Sequence, residues 1–333
     1  MSGAVVGRRW LAAGAVLALA SLLPLVASDY LLTIATLALY LGFQATAWNI
    51  GSGYAGLLSF GHHGFAGVGA YLSVFLLMSY GVSPWLGMFL GGGLSALLGV
   101  SLAWISTRYR MREVYFVLAT FALATVLRGI VNNLPFVGSS EGLLLPVRND
   151  PWHFLFVTRP PYYYVILVLT ACALYISWWI SSGALGLRLA AMREDLEAAE
   201  AMGIDSSRIS ILAMGTSTFV AGVGGAFYAQ YIYFVRPDVI FDMALAINVL
   251  VAGIFGGLAT VFGPLVGALA LTVIQELSHL MPISASQRLA AVSRMMYGVV
   301  FVMIILFLPK GIISLRRPRW WRGRQRPGAP GRA

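Results

Sequence analysis

Charge is what this sequence has least of. Only 10% of its 333 residues are Asp, Glu, Lys or Arg, against 59% hydrophobic residues. A soluble domain carries roughly 25% charged residues, so this chain lacks the polar atoms to cover a water-exposed globule. It reads as an all-α integral membrane protein. Lysine is nearly missing: the one lysine, Lys310, follows Pro309. A P-loop needs Gly-Lys-Ser/Thr, so no Walker A motif exists, and any ATP-driven step requires an ATPase on another subunit. A single cysteine, Cys172, excludes an intrachain disulfide and a cysteine ligand cluster. It reads as a small hydrophobe in a packed helix. Four histidines are too few for an evident nucleophile–base set, and no catalytic residue is assigned. His62 and His63 are adjacent, so their side chains diverge, and no carboxylate or thiol lies near in sequence. That argues against a metal site and for a role at a helix start near the cytoplasmic interface.

What is present is apolar sequence in long runs. A membrane helix needs about 20 apolar residues, and ten candidates follow one another: 10–27, 30–50, 62–80, 84–106, 114–131, 162–182, 208–232, 243–255, 261–280 and 294–308. The run 243–255 is short and is followed by Gly256-Gly257, so a half-helix is expected there. Residues 1–29 read as an N-terminal membrane anchor, in preference to a cleaved signal peptide, because a second apolar run starts at Tyr30. Residues 316–333 are rich in Pro, Gly and Arg and are expected to be a disordered basic tail, with Trp320 and Trp321 at the membrane interface.

An even number of spans puts both termini on one side, and the positive-inside rule names it. Counting Lys310 with the arginines, sixteen basic residues fall at 8–9, 108–112, 188–208 and in the C-terminal tail, against Arg148, Arg159, Arg236, Arg288 and Arg294 opposite. Both termini are therefore expected in the cytoplasm. The net charge of +10 follows this topological pattern and fits anionic headgroups, not nucleic acid. Between the spans, 132–161 reads as an outer loop without regular structure. Segment 183–207 reads as an inner loop.

The inner loop contains "LRLAAMREDLEAAEAMGIDSSR", residues 187–208. Residues 187–202 are good helix formers, Gly203 suits a helix C′ position, and Asp205 or Ser206 can cap the next helix. Leu189, Met192, Leu196, Ala199 and Met202 share one face; Arg193, Glu194, Glu197 and Glu200 lie on the others. Helices lying on membranes are usually basic on the polar face. This one is mainly acidic, so it is expected to sit in a groove on a partner protein.

A second unusual stretch, "GYAGLLSFGHHGFAGVGAY" (53–71), breaks an apolar run with six glycines. Irregular backbone at membrane depth is tolerated only inside protein or along a cavity. Close packing through small residues and a pathway-lining break both fit this stretch. Pathway candidates are Asn49, Gly53, Gly56, Ser59, Gly61, His62, Gly64, Arg128, Asn248, Gly256 and Gly257. Arg128 lies inside a span but near its end, so function and snorkelling both account for it. Gln44, Gln230 and Gln275 are further polar groups able to cross-link helices or to line the pathway.

"EAAEAMG" (197–203) resembles the EAA signature by which ABC importer permeases dock onto their ATPase, although "ILAMG" stands where the wider pattern has a downstream proline. With it, "GYAGLLSFGHHGFAGVGAY", "YFVLATFALATVLRGIVNN", "FYAQYIYFVRPD", "VLVAGIFGGLATVFGPLVGA" and "YGVVFVMIILFLPKG" occur in the order seen in branched-chain amino acid transporter permeases of the LivM-like type. The resemblance covers nearly all of 30–315, the expected permease domain. It implies an inner-membrane ABC permease subunit for hydrophobic amino acids, with a second similar permease, two ATPases and an extracytoplasmic binding protein as partners. No cofactor is expected on this chain, ATP being used by the partner. Arg193, Glu194, Glu197, Ala198, Ala199 and Gly203 are then the expected coupling residues. Relatives that import urea or short amides share much of this pattern. An autonomous channel or ion-coupled transporter would need intramembrane carboxylates, for which Asp242 and Glu276 are the candidates.

Overall fold

The computed structural model describes residues 19–146 and 149–280. The predicted span 294–308, the block "YGVVFVMIILFLPKG", the tail 316–333 and most of the predicted span 10–27 lie outside the described residues. Short helix α1 (Leu23–Val26) leads into α2 (Asp29–Trp48), which widens into a π-helical turn over Asn49–Tyr54. Then come α3 (His62–Tyr80), α4 (Pro84–Arg108), α5 (Glu113–Asn133) and α6 (Pro160–Ser182). Two short helices follow, α7 (Ala184–Glu194) and α8 (Leu196–Ala201). The chain continues as α9 (Ser206–Ile232), α10 (Pro237–Ile240), α11 (Met243–Gly256) and α12 (Gly263–Leu280). Among the described residues, seven helices are long and apolar enough to cross a membrane, counting α10 and α11 as one interrupted span. This is a multi-pass membrane protein.

Helices α3, α4 and α9 cross at backbone distance, which only small residues permit. A Cβ added at Gly69 would stand 2.0 Å from the Gly222 carbonyl oxygen, and one at Gly225 would stand 1.8 Å from that of Ala66. Ser95 on α4 turns into the same seam and donates to the carbonyl of Phe65 at 2.8 Å. Without a hydrophobic driving force in lipid, such close van der Waals contact and short polar bonds are what hold helices together. Helix α2 packs on α6, α9, α11 and α12, with Trp48 and Phe43 fully buried.

The end opposite the 183–207 loop is closed by ordered loops, and the outer segment 132–161, expected to lack regular structure, holds short regular elements. Strand β1 (Leu143–Leu144) pairs antiparallel with β2 (Phe234–Val235), and Trp85 Nε1 donates to Pro151 O at 3.0 Å. Proline at N1/N2 starts the 3₁₀ turns Pro135–Val137 and Pro151–His153 because its fixed φ suits a first turn.

Candidate functional site

The stretch 55–61 leaves the π-helical end of α2 and turns back into the protein. Its far end lies deep: Phe60 N donates to Thr120 Oγ1 at 3.2 Å. Thr120 is seven residues into α5, about 10 Å along the helix. Helix α3 therefore starts within the membrane. Backbone there has no water to satisfy it, and side chains of α2 take over. Trp48 Nε1 donates to Ser59 O at 2.8 Å, Ser52 Oγ donates to Leu57 O at 3.0 Å, and Ser52 Oγ accepts from Ser59 N at 3.2 Å.

A second break, 257–262, lies beside the first. Helix α11 has 14 residues, about 20 Å, and cannot cross a 30 Å hydrocarbon core alone. It ends at Gly256, where any side chain would meet the Gly263 carbonyl oxygen at 1.7 Å, and Gly257 has φ +125°. Asn49 clamps this loop: its Oδ1 accepts from Ala259 N at 2.9 Å and its Nδ2 donates to Thr260 O at 3.0 Å. Thr260 Oγ1 then bonds Gly257 O and Gly263 N, so one asparagine and one threonine fix the whole turn.

The glycines of 53–71 divide by role. Gly56 (φ +74°) supplies the left-handed turn that starts the return into the membrane. Gly61 and Gly64 are contact points, against the Thr120 carbonyl and Ala124. Gly53 sits against the Asn49 side chain and Ala259 N. The break and the packing therefore coexist. His62 and His63 do not cap a helix at an interface: no side chain caps α3, and both residues are buried, His62 at 3% exposure. Neither ring nitrogen of His62 has a hydrogen-bond partner, nor does His63 Nδ1 or Gln44 Oε1. Together with Ala66 and the α11 residues Leu245, Ala246 and Val249 they line a small cavity. Ser59 contributes its backbone; its buried hydroxyl makes no hydrogen bond. Asn248 is half-buried on α11.

Arg128 is not in this centre. It pairs with Asp238 at 2.8 Å near the far end of α5, where Arg236 also binds Asp238. Asp242 caps α11 through Ala244 N, and Glu276 accepts from Tyr30 Oη at 2.7 Å.

Below the breaks lies the 183–207 loop, and here the expected continuous helix over 187–202 is cut in two. Asp195 is extended (φ −156°, ψ 110°) and caps α8, its carboxylate accepting from Ala198 N at 3.0 Å, an aspartate preferring the cap to the helix interior. The cut rotates the second half, so the predicted face is only partly buried. Leu189, Met192 and Ala199 pack against Ile50, Tyr54, Ile180 and Ile209, whereas Leu196 and Met202 are exposed at 49% and 74%. Ala199, expected at a partner's surface, instead packs inside its own chain at 1% exposure. Glu194, Glu197 and Ala198 do face outward. Gly203 takes φ +82° and Asp205 caps α9 through Arg208 N, as expected from the sequence. Arg193 turns inward and donates from Nη1 to Gly53 O at 3.0 Å, joining the loop to the broken end of α2.

Residues 30–308 match the family described as "Branched-chain amino acid transport system / permease component". The chain belongs to that family. It is 27% identical to the high-affinity branched-chain amino acid transport system permease protein LivM of Salmonella typhimurium, over 92% of this chain and 75% of that protein. LivM of Escherichia coli is 26% identical over the same shares. LivH of Salmonella typhimurium is 23% identical, covering 79% of this chain and 87% of the relative. The permease fold expected from the sequence is thereby established. Trp48, Ser52, Thr120 and Thr260, which hold the breaks together in this family member, were not picked out by the sequence. Their only signal was position, since Trp48 and Ser52 immediately flank Asn49 and Gly51 at the end of an apolar run.

Proposed function

We propose that this chain is half of an import pathway for branched-chain amino acids, driven by a separate ATPase that docks on α7 and α8. The carrying observation is Arg193. One side of its helix pair is buried on α2, α6 and α9, the other presents Leu196, Glu197, Ala198 and Met202 to a partner, and the arginine bonds the backbone of the α2 break. Displacement of the loop by an ATPase would therefore reach the pathway side of the fold through a single hydrogen bond and a packed interface. The exposed apolar residues beside carboxylates are the kind of mixed surface that protein contacts use.

Similarity to both LivM and LivH supports a pair of like permeases, two ATPases and an extracytoplasmic binding protein around the pathway. The relatives' names favour branched-chain amino acids over urea or short amides. Asp242 and Glu276 are both engaged at helix ends, which disfavours an ion-coupled carrier. The loop end carries Arg108, Arg110, Arg112, Arg188, Arg193 and Arg208, which supports a cytoplasmic location for it in the inner membrane.

Reconstitution tests the reading. The chain, its partner permease and the ATPase, placed in vesicles with the binding protein, should accumulate radiolabelled leucine only when ATP is supplied on the loop side. Leucine uptake without the ATPase, driven by an ion gradient, would overturn it.

A further inference from the structure

Buried polar atoms without partners are costly, each by roughly 1–3 kcal/mol, and a fold retains them where something else uses them. Among the described residues, the cavity between α2, α3 and α11 concentrates them. Gln44 Oε1, both nitrogens of His62 and Nδ1 of His63 all lie there without a hydrogen bond. Gln44 is held in place from its other end, its Nε2 donating to Tyr40 Oη at 3.1 Å and to Ala221 O at 3.3 Å. His62 and His63 occupy the first two positions of α3, a helix of 19 residues whose start carries no side-chain cap. A helix N-terminus favours negative charge, and this one opens inside the membrane, where transporters aim such ends at anionic substrate groups. The opposite wall is apolar: Leu245, Ala246 and Val249. The backbone on either side is fixed by Trp48 and Asn49, so the polar wall is preformed.

We infer that this niche, between the start of α3 and the half-helix α11, receives the transported amino acid, its carboxylate on ring N–H groups of His62 and His63, its ammonium on Gln44 Oε1, and its aliphatic side chain on Leu245, Ala246 and Val249. One polar wall and one apolar wall fit a zwitterion with a branched hydrocarbon tail. The cavity as it stands is of water size, about 10 Å³, so admission of an amino acid requires α11 to move away from α2 and α3. Helix α11 is suited to this, being a half-helix between Asp242 and the glycine break at 256–257. The inference rests on the proposed import function.

The test separates a binding role from a packing role because the two predict opposite things. Replacing a buried, unpartnered polar side chain by an apolar one of similar size removes an unmet desolvation cost, so His62→Leu should hold or raise the melting temperature of the solubilised permease. ATP-driven leucine uptake by this variant in vesicles should nevertheless fall by roughly tenfold or more, the scale of one hydrogen bond to a charged group. His62→Gln, which keeps a donor, should retain more uptake than His62→Leu. Wild-type uptake in His62→Leu, a collapse of its melting temperature, or equal losses in His62→Gln and His62→Leu would each overturn the inference. Absence of leucine uptake in the wild-type complex would instead overturn the import reading itself.

Discussion

Arg193 reaches across 140 positions of sequence to the carbonyl oxygen of Gly53, inside the π-helical turn that ends α2 and leads into the return loop. Gly53 in turn lies against Asn49, whose side chain holds the second break. Three segments distant in sequence are thus tied within two contacts. Arg193→Ala should leave the permease folded, since Arg193 lies outside the buried core of the loop, while lowering leucine uptake more than it lowers ATPase association. Arg193→Lys, which can donate but lacks the planar fork, should fall between. Uptake measured beside co-purified ATPase checks both, and parallel loss of the two would place Arg193 in the docking surface instead.

Asn49 makes two hydrogen bonds to the backbone of 257–262. Asn49→Ala strands the Ala259 N–H and the Thr260 carbonyl, at roughly 1–3 kcal/mol each. The expected result is a clearly lowered melting temperature of the solubilised protein. Asn49→Asp keeps the acceptor and loses the donor, so it should not restore the wild-type value. An unchanged melting temperature in Asn49→Ala would show that the loop is held by something else.

The glycines allow a paired comparison. Gly69→Val puts side-chain atoms into the Gly222 backbone, and overpacking of this kind typically costs 1–3 kcal/mol or more, so assembly should fail. At Gly93 an added Cβ meets nothing within 4 Å. Gly93→Ala should therefore stabilise α4 by up to about 1 kcal/mol through helix propensity. Thermal melting of the two variants measures both signs.

These positions also show what the sequence carried. Eight of the ten apolar runs became the helices α2 to α6, α9, α11 and α12, since length and hydropathy follow from local composition. The half-helix at α11 was legible because two glycines follow a run too short to span. The depth of 55–61 was not. Nothing local distinguishes a histidine at an interface from one buried mid-membrane, and the difference rests on Thr120, sixty positions away. The inner loop failed in a different manner. Its residues are good helix formers as a set, but Asp195 prefers to cap, and one such choice turned Leu196 and Met202 outward while drawing Ala199 in.

Orientation is open to direct labelling. With Cys172 replaced by alanine, a cysteine at Glu194 should react with an impermeant maleimide only from the cytoplasm, and one at Ser140 only from outside. Both positions are exposed in the fold. Outside labelling at position 194 would remove the loop from reach of any cytoplasmic ATPase.

If an ATPase drives this permease through the outward face of α8, as proposed, Ala198 is the residue at which to obstruct it. Ala198 lies on that face and is exposed, next to an Ala199 that is buried in the chain's own core. Ala199→Trp should therefore unfold the loop, whereas Ala198→Trp should spare the fold and obstruct only the partner. The decisive measurement is ATPase co-purification together with ATP-driven leucine uptake for Ala198→Trp, in a preparation whose melting temperature matches the wild type. The account predicts loss of uptake, with the ATPase either released or bound and uncoupled. Wild-type ATPase retention and wild-type uptake in that variant would contradict it.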